Sequence, residues 1–217
     1  MDYIDELNSD KFNLSLFLKA RETCQLISKK IISKVEVGMT EKDGLMLIKD
    51  EFAREGITKF WHPSKFRISA DTLKTFKDLS DPSLKTTLQD LCFIDVGPII
   101  DEHEADYGET FIVGSTLKHD LMKACENVFS QTSSLWREKK ISGNELYVEA
   151  QKFAKEHGCE LDPHMSGHRL GDFPHHLHSK KSLNQINHTP SPHVWVLEVH
   201  LLNPQLNRGA FMEDILI

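Results

Sequence analysis

Two strongly apolar segments of this chain each contain a single carboxylate. Asp95 interrupts the run LCFIDV at residues 91–96, and Glu198 interrupts the run VWVLEV at residues 194–199. Runs of this kind are typical of buried strands, in which an ionised carboxylate is costly unless it is paired or binds a metal ion. The two segments therefore predict a buried sheet that carries acidic groups with a chemical role.

A second carboxylate accompanies each of these acids at a spacing that suits a hairpin. Asp106 follows Asp95 by eleven residues, and Glu213 follows Glu198 by fifteen. If the first hairpin turns at 100–101 and the second turns within 203–208, the members of each pair lie opposite each other on one face of the sheet. Opposed like charges repel, and a bound cation is the simplest remedy.

The rest of the chain predicts helices that pack on this sheet. The expected helices cover residues 11–34, 40–56, 118–137 and 143–157. Thr40 is the expected N-cap of the second helix and Ser142 that of the fourth. The expected strands cover 91–100, 194–202 and 209–217, and one more ends at Gly114; residues 57–85 and 158–193 are expected to be irregular. The pattern predicts a single α+β domain over residues 1–217 with a mainly antiparallel sheet.

Composition limits the classes of function. The chain has 217 residues, with 26 Lys and Arg against 33 Asp and Glu, and a formal charge of −7. Nucleic-acid binding depends on surplus positive charge, and spanning a bilayer takes roughly 20 apolar residues in a row. The N-terminus also lacks the pattern of a signal peptide. We therefore expect a cytoplasmic protein with no nucleic-acid or membrane partner, and the sequence leaves the oligomeric state open.

A histidine between two glycines supplies a nitrogen donor. His168 lies in the segment GHRLG at residues 167–171. Together with the four carboxylates it makes an oxygen-rich ligand set that suits Mn²⁺, Fe²⁺, Co²⁺ or Zn²⁺. Four acids exceed the needs of one ordinary divalent ion, whereas two ions that share bridging carboxylates would use all of them.

These residues resemble the ordered motifs of the pita-bread metallopeptidases, which include methionine aminopeptidases, Xaa-Pro aminopeptidases, prolidases and creatinase. The matching segments are IDVG at 94–97, DYGETFIVG at 106–114, GHRLG at 167–171, LE at 197–198 and EDILI at 213–217. The resemblance implies the pita-bread fold, a curved antiparallel sheet covered by helices. It also implies a centre of two divalent metal ions, with Mn²⁺ favoured over Co²⁺, Fe²⁺ and Zn²⁺.

The resemblance implies a role for each matched ligand. Asp95 would bind one ion and His168 the other, while Asp106 and Glu213 would bridge them. Glu198 would bind the second ion and act as general base toward the attacking water.

Three further residues are candidates for substrate binding. His175 matches a family histidine that contacts substrate or the developing oxyanion, so it is also a catalytic candidate. Phe76 occupies the place where the family usually has a histidine that positions the scissile amide, and a phenyl ring cannot take over that hydrogen bond. His62 is a candidate replacement from another backbone position. The other histidines expected at the mouth of the site are His176, His178 and His200.

The sequence therefore predicts a metallopeptidase that acts as an aminopeptidase or dipeptidase on short peptides. Xaa-Pro substrates are favoured over methionine removal, because DVGP at 95–98 and DYGETF at 106–111 resemble the proline-directed branch. One alternative is hydrolysis of a C–N bond in a small non-peptide substrate, as in creatinase. The other is a weakly active or inactive binding module, which the substitution at Phe76 favours and the retention of all five ligand types opposes.

Overall fold

Helices and antiparallel strands make up the chain, as the sequence predicts. The computed structural model describes residues 4–115, 119–175 and 179–217. The helices are α1 (Leu14–Ile32), α2 (Glu41–Arg54), α3 (Asp120–Lys139) and α4 (Gly143–Glu156). The strands are β1 (Lys65–Ile68), β2 (Leu91–Val96), β3 (Ile99–Ile100), β4 (His103–Glu104), β5 (Tyr107–Ile112), β6 (Glu160–Leu161), β7 (Val196–Asn203) and β8 (Arg208–Ile215). None of the described helices is long and apolar enough to cross a membrane.

The predicted N-caps begin the second and fourth helices. Thr40 and Asp43 form a reciprocal capping box at the start of α2, and Ser142 and Glu145 do the same for α4. Each box satisfies backbone N–H groups that have no partner inside the helix. The helix α1 begins three residues later than the apolar pattern predicts, because the Asn13 side chain accepts hydrogen bonds from the backbone N–H groups of Ser15 and Leu16.

The main sheet has the strand order β1-β2-β5-β8-β7-β6, and all neighbouring strands are antiparallel. The first half of the chain supplies β1, β2 and β5, and the second half supplies β8, β7 and β6. The junction between the halves is short, since β5 and β8 pair at two positions among the described residues, Gly108 with Glu213 and Glu109 with Met212. Beyond them the Thr110 hydroxyl donates to the carbonyl of Phe211 at 2.8 Å and accepts from its N–H at 2.6 Å.

The helices cover one face of this sheet and leave the other to the acids. Helices α1 and α2 share an apolar core with Ile94 of β2, and α3 and α4 share another with Val199 of β7. Successive residues of a strand point to opposite faces. Asp95 and Glu198, next to these core residues in sequence, therefore project from the face without helices.

The first hairpin turns one residue later than expected. Asp101 and Glu102 form its turn, with φ values of 49° and 61°, so Asp95 is paired with Gly108 and not with Asp106. Two-residue turns of this kind usually contain glycine or asparagine, and neither is present to mark the turn in the sequence. A shift of one residue in the turn moves the register by two, so Asp95 keeps its expected face. The second pair is as predicted, with Glu198 opposite Glu213.

Residues 57–85 are less irregular than predicted, because they contain β1. This strand was missed since its sequence, KFRI, places two cations in four residues. Arg67 is nevertheless buried and pairs with Glu41 at 3.3 Å. Its guanidinium also donates to the carbonyls of Thr75 and Asp78, each at 2.7 Å. Arg67 thereby holds the loop that carries Phe76.

The segment that precedes α1 ties the long loop of the second half to the sheet. The backbone N–H of Ser9 donates to Asp172 Oδ1 at 3.1 Å. Glu6 Oε1 accepts from the indole N–H of Trp195 at 3.0 Å and lies 2.8 Å from Nε2 of His188. Because the Trp195 side chain is fully buried, Glu6 satisfies a donor that has no access to water.

Replacing Glu6 with alanine should lower the free energy of unfolding by roughly 1–3 kcal/mol, because the buried indole N–H would lose its acceptor. Chemical denaturation of Glu6→Ala and the unchanged protein measures this difference. Glu22→Ala, which removes an exposed carboxylate from α1, is the matched control and should leave stability nearly unchanged. Equal stabilities for the two variants would contradict the assigned role of Glu6.

Candidate metal centre

Four neighbouring strands place three carboxylates in one row. Asp95 on β2 is paired with Gly108 on β5, Gly108 with Glu213 on β8, and Glu213 with Glu198 on β7. Directly paired residues project from the same face of a sheet. The three carboxylates therefore converge above the gap that the glycine leaves in the row.

A fourth carboxylate and an imidazole complete the predicted set. Asp106, which directly precedes β5, is 1% exposed. Nε2 of His168 lies 2.8 Å from Asp106 Oδ2 and 3.4 Å from Glu198 Oε1. The loop that carries His168 is bound to β7 through its backbone, since the N–H of Val196 donates to the carbonyl of His168 at 2.8 Å and the N–H of Gly167 donates to Glu198 Oε2 at 3.1 Å. The structure thus brings the five predicted ligand residues together.

A second imidazole faces the same acids from the opposite side. Nε2 of His62 lies 3.3 Å from Asp106 Oδ1 and 3.4 Å from Asp95 Oδ1. The sequence offers His62 as a substrate contact, and the structure places its ring against the carboxylates. Among the described residues, two groups of side chains are spaced to hold a cation: His62 with Asp95 and Asp106, and His168 with Asp106 and Glu213.

The acids open into a cavity of about 330 Å³. Its polar floor contains the five predicted ligand residues and His62, and its walls are largely apolar. Trp61, Pro63, Phe76 and Met165 supply the apolar lining. Cavities with a few converging polar groups and apolar walls are typical of small-ligand sites.

Burial and mutual repulsion shift the pKa values of the acids. Burial raises the pKa of Asp95 to about 6 and that of Glu213 well above its ordinary value, with the charge of Asp106 adding to the effect on Glu213. Burial also acts on Asp106, but hydrogen bonds with His168 and His62 outweigh it and lower the pKa of Asp106 to about 2.

The negative charge of the same carboxylates raises the pKa of the two neighbouring imidazoles. Burial alone would lower the pKa of His62 and His168, yet the neighbouring carboxylates raise both values to about 9. Without another cation, protons on these rings offset part of the negative charge. Glu213 Oε1, however, is buried without a hydrogen-bond partner among the described residues. An oxygen in that condition fits a site for divalent cations, whose binding would displace the protons.

The predicted substrate residues lie in different places around the cavity. Phe76 lines it with a side chain that is 47% exposed. His175 packs beside it, with its ring centroid 5.2 Å from that of Trp61 and 6.2 Å from that of His168. Glu104 orients the His175 ring through a contact of 2.6 Å between Oε2 and Nδ1.

The expectation that His200 lines the mouth of the site is wrong. Its ring is fully buried, with Nδ1 at 3.2 Å from Asp162 Oδ2 and Nε2 at 2.8 Å from the carbonyl of Thr72. His200 shares a face with Glu198 two residues away, but there the sheet is covered by the segment that follows β1. His176 and His178, also expected at the mouth, lie outside the described residues.

Sequence reasoning missed Trp61, Glu104 and Gly108. Trp61 packs against three histidine rings, with centroid distances of 4.3 Å to His62, 4.9 Å to His168 and 5.2 Å to His175. Its position directly before His62 was the available signal. Glu104 belongs to an acidic stretch of the sequence in which no apolar run singles it out. Gly108 could be recognised only once the register was known.

Replacing Gly108 with alanine should weaken the affinity for divalent metal. The added Cβ would lie 2.7 Å from Glu213 Oε1 and 2.3 Å from Phe211 Cε1, so both side chains would have to move. Overpacking of this kind also costs roughly 1–3 kcal/mol of stability. Titration of the metal-free protein with Zn²⁺ in competition with a chromophoric chelator measures the change in affinity.

Gly158→Ala is the control for this variant. Gly158 has a φ of 68° and no atom within 4 Å of an added Cβ. Alanine there should strain the backbone and lower stability while leaving metal affinity unchanged. Unaltered metal affinity in Gly108→Ala would show that Glu213 has more room than the structure gives it.

Comparison with known proteins places the chain in a family. The model of metallopeptidase family M24 matches residues 15–217. No curated protein sequence matches the chain. Among solved structures, the chain is similar to an X-Pro aminopeptidase from Thermotoga maritima, with a TM-score of 0.77 and 17% identity over 98% of this chain and 59% of that one.

Two further structures give the same result. Prolidase from Pyrococcus furiosus has a TM-score of 0.76 and 17% identity over 98% of this chain and 62% of that one. Escherichia coli aminopeptidase P with the inhibitor Pro-Leu has a TM-score of 0.73 and 16% identity over 98% of this chain and 54% of that one. The chain therefore spans between 54% and 62% of the length of these structures. At identities this low, the structural similarity establishes only the fold. By its family match and its fold, the chain belongs to the M24 metallopeptidases and has the pita-bread architecture.

Proposed function

We propose that this protein is a hydrolase with two divalent metal ions that acts on short peptides as an aminopeptidase or dipeptidase. The observation that carries the proposal is the convergence of Asp95, Asp106, His168, Glu198 and Glu213 on one cavity of about 330 Å³. The acids are between 1% and 9% exposed, and such burial is costly for carboxylates that serve no cation. Membership of a metallopeptidase family supports the same conclusion.

The ligand set divides between two positions that share Asp106. On one side Asp95 and Asp106 would hold an ion, and on the other Asp106, His168 and Glu198 would hold the second. Glu213 lies paired to Glu198 and beside the gap above Gly108, where it would bridge. When bound, two such ions lower the pKa of a shared water and polarise the carbonyl of the substrate. The oxygen-rich composition of the set suits Mn²⁺, as the sequence predicts.

Glu198 is the residue best suited to accept a proton from the attacking water. Its Oε2 is fixed by the N–H of Gly167, and its Oε1 lies 3.4 Å from His168. Burial raises the pKa of this carboxyl above its ordinary value, which is the direction that suits a general base working near neutral pH. His175, oriented by Glu104, is a candidate to donate a hydrogen bond to the oxyanion from the side of Trp61.

The lining of the cavity suits a small peptide with an apolar part. Trp61, Phe76 and Met165 offer apolar contact, and Lys65 is the one lysine or arginine among the described residues of the lining. Lys65 lies directly across from Asp95 on β1, where it could pair with the carboxylate of a short substrate. Similarity to an X-Pro aminopeptidase and to prolidases supports the further proposal that proline at the second position is preferred.

Phe76 favours a second candidate function. A phenyl ring lines the cavity at the place where the family usually has a histidine that positions the amide. His62 does not take over this task, because its Nε2 faces Asp95 and Asp106. A small non-peptide C–N substrate, which has no such amide to position, would account for this substitution. A binding module without activity would account for it as well.

Asp106→Ala should abolish both the binding of divalent metal and peptide hydrolysis, because Asp106 is shared by both ion positions. Protein purified without chelator should contain about two transition-metal ions per chain. Metal analysis and a peptide panel with and without proline at the second position test these expectations. Asp10→Ala, which removes an exposed acid, should keep metal and activity. An unchanged protein that binds no divalent metal would contradict the proposal, and one that binds metal but cleaves no peptide would favour the non-peptide candidate.

Phe76→His should raise kcat on peptides by at least about tenfold, because positioned proton donors and acceptors typically contribute more than that. The comparison is with Phe76→Leu, which removes the ring without adding a hydrogen-bonding group and should bring no gain. Steady-state kinetics on the best peptide of the panel measure both variants. A Phe76→His protein with kcat no higher than that of Phe76→Leu would show that this position does not limit peptide hydrolysis.

A further inference from the structure

We propose that His62 is a sixth protein ligand of the metal centre, binding through Nε2 the ion that Asp95 holds. This inference rests on the proposed two-ion function and extends it, because it gives each ion an imidazole of its own. The first ion would be held by His62, Asp95 and Asp106, and the second by His168, Glu198 and Asp106, with Glu213 between the two positions.

The contacts of His62 Nε2 with Asp95 and Asp106 are long for hydrogen bonds and have the spacing of atoms that bind one ion. Nε2 lies 3.4 Å from Asp95 Oδ1 and 3.3 Å from Asp106 Oδ1. Charge-assisted hydrogen bonds between nitrogen and carboxylate are shorter, at about 2.7–2.9 Å. Ligand atoms bound tetrahedrally at about 2.1 Å from an ion are separated by about 3.4 Å. Both distances from His62 Nε2 therefore match the spacing between two ligand atoms of a tetrahedral site.

The other nitrogen of His62 is engaged in the way that ligand histidines require. Nδ1 lies 3.1 Å from the carbonyl oxygen of Pro63, the next residue in the chain. A hydrogen bond from Nδ1–H to this carbonyl places the lone pair on Nε2, facing the acids. His168 repeats the arrangement, with Nδ1 at 3.1 Å from the carbonyl of Arg169 and Nε2 toward Asp106.

Asp106 lies between these two rings. Its Oδ1 is the oxygen nearer His62, and its Oδ2 is the oxygen nearer His168. A carboxylate that presents one oxygen to each imidazole is arranged to bridge two ions. The surroundings of Asp106 therefore indicate one ion beside His62 and another beside His168.

The chain makes room for the His62 ring and fixes its position. A Cβ at Gly97 would lie 2.2 Å from both Cδ2 and Nε2 of His62 and 2.5 Å from Nε1 of Trp61. The backbone N–H of Trp61 donates to the carbonyl of Gly97 at 2.9 Å, and its indole N–H donates to the carbonyl of Ala105 at 3.0 Å. These bonds anchor residues 61 and 62 beside Asp95 on β2 and Asp106 just before β5.

A second nitrogen changes the preferred metal. The five predicted ligands supply one nitrogen among many oxygens, which suits Mn²⁺, whereas imidazole ligands suit Zn²⁺ and other later transition ions. With His62 bound, both positions contain nitrogen. We expect the first position to prefer Zn²⁺ or Co²⁺ over Mn²⁺, and removal of His62 to reduce that preference.

The test is a titration of the metal-free protein, residues 1–217, with Co²⁺ and with Zn²⁺. Visible absorption follows Co²⁺ binding, and competition with a chelator measures the affinity for each ion. The unchanged protein should bind two ions. His62→Ala should bind one of them at least about tenfold more weakly, since even the outer partners of ligand histidines contribute that much to affinity. His164→Ala is the matched control, because His164 lines the same cavity from an exposed position, and it should bind both ions normally.

A measurement on the unchanged protein removes any dependence on how the variants fold. The protein is labelled with ¹⁵N at histidine and titrated stepwise with diamagnetic Zn²⁺. The Nε2 resonances of His62 and His168 should then shift to the range of metal-bound nitrogen. A His62 resonance that keeps the shift of an uncoordinated ring at saturating Zn²⁺ would overturn the inference.

The other outcomes separate this inference from the proposed function. Two ions bound with equal affinity by His62→Ala and the unchanged protein would overturn the sixth ligand and leave the two-ion function standing. Tighter binding by His62→Ala would also overturn it, because the ring would then be a competitor that occupies the place of the ion. No binding by the unchanged protein would overturn both.

Discussion

Four carboxylates buried around one cavity are the condition on which the rest of this structure depends. Asp95, Asp106, Glu198 and Glu213 repel one another, and Glu213 Oε1 lacks any hydrogen-bond partner among the described residues. The fold meets this cost in two ways. All four helices pack on the other face of the sheet, which leaves the acids beside the cavity, and two loops bring His62 and His168 to opposite sides of Asp106.

The acids could be predicted because they stand out against their surroundings. A carboxylate within LCFIDV or VWVLEV contradicts the apolar pattern around it. The odd spacing within each pair, eleven and fifteen residues, places both members on one face when the hairpin has an even-numbered loop. The predicted register of the first hairpin was wrong by two residues, but an even shift leaves Asp95 on the predicted face of the sheet. Together with the capping boxes of α2 and α4, this was enough to predict the α+β architecture.

The parts that could not be predicted depend on contacts between segments that are distant in sequence. Arg67 belongs to a strand that looks too charged to be buried, and only its bonds to the loop at 75–78 explain its position. His62 carries no local signal that separates a metal ligand from a substrate contact, since its role follows from where β2 and β5 lie beneath it. Gly108 becomes informative only when the register shows that it stands between two acids.

The short pairing between β5 and β8 gives the proposed centre a second consequence. The two halves of the chain meet at Gly108 and Glu109 of β5 and at Glu213 and Met212 of β8, and the candidate ligands come from both halves. Bound ions would therefore link the two halves of the chain beside this short pairing, and their binding free energy would add to that of folding. A cell that runs short of metal would then lose this protein by degradation as well as by inactivity, so that metal supply would set its lifetime.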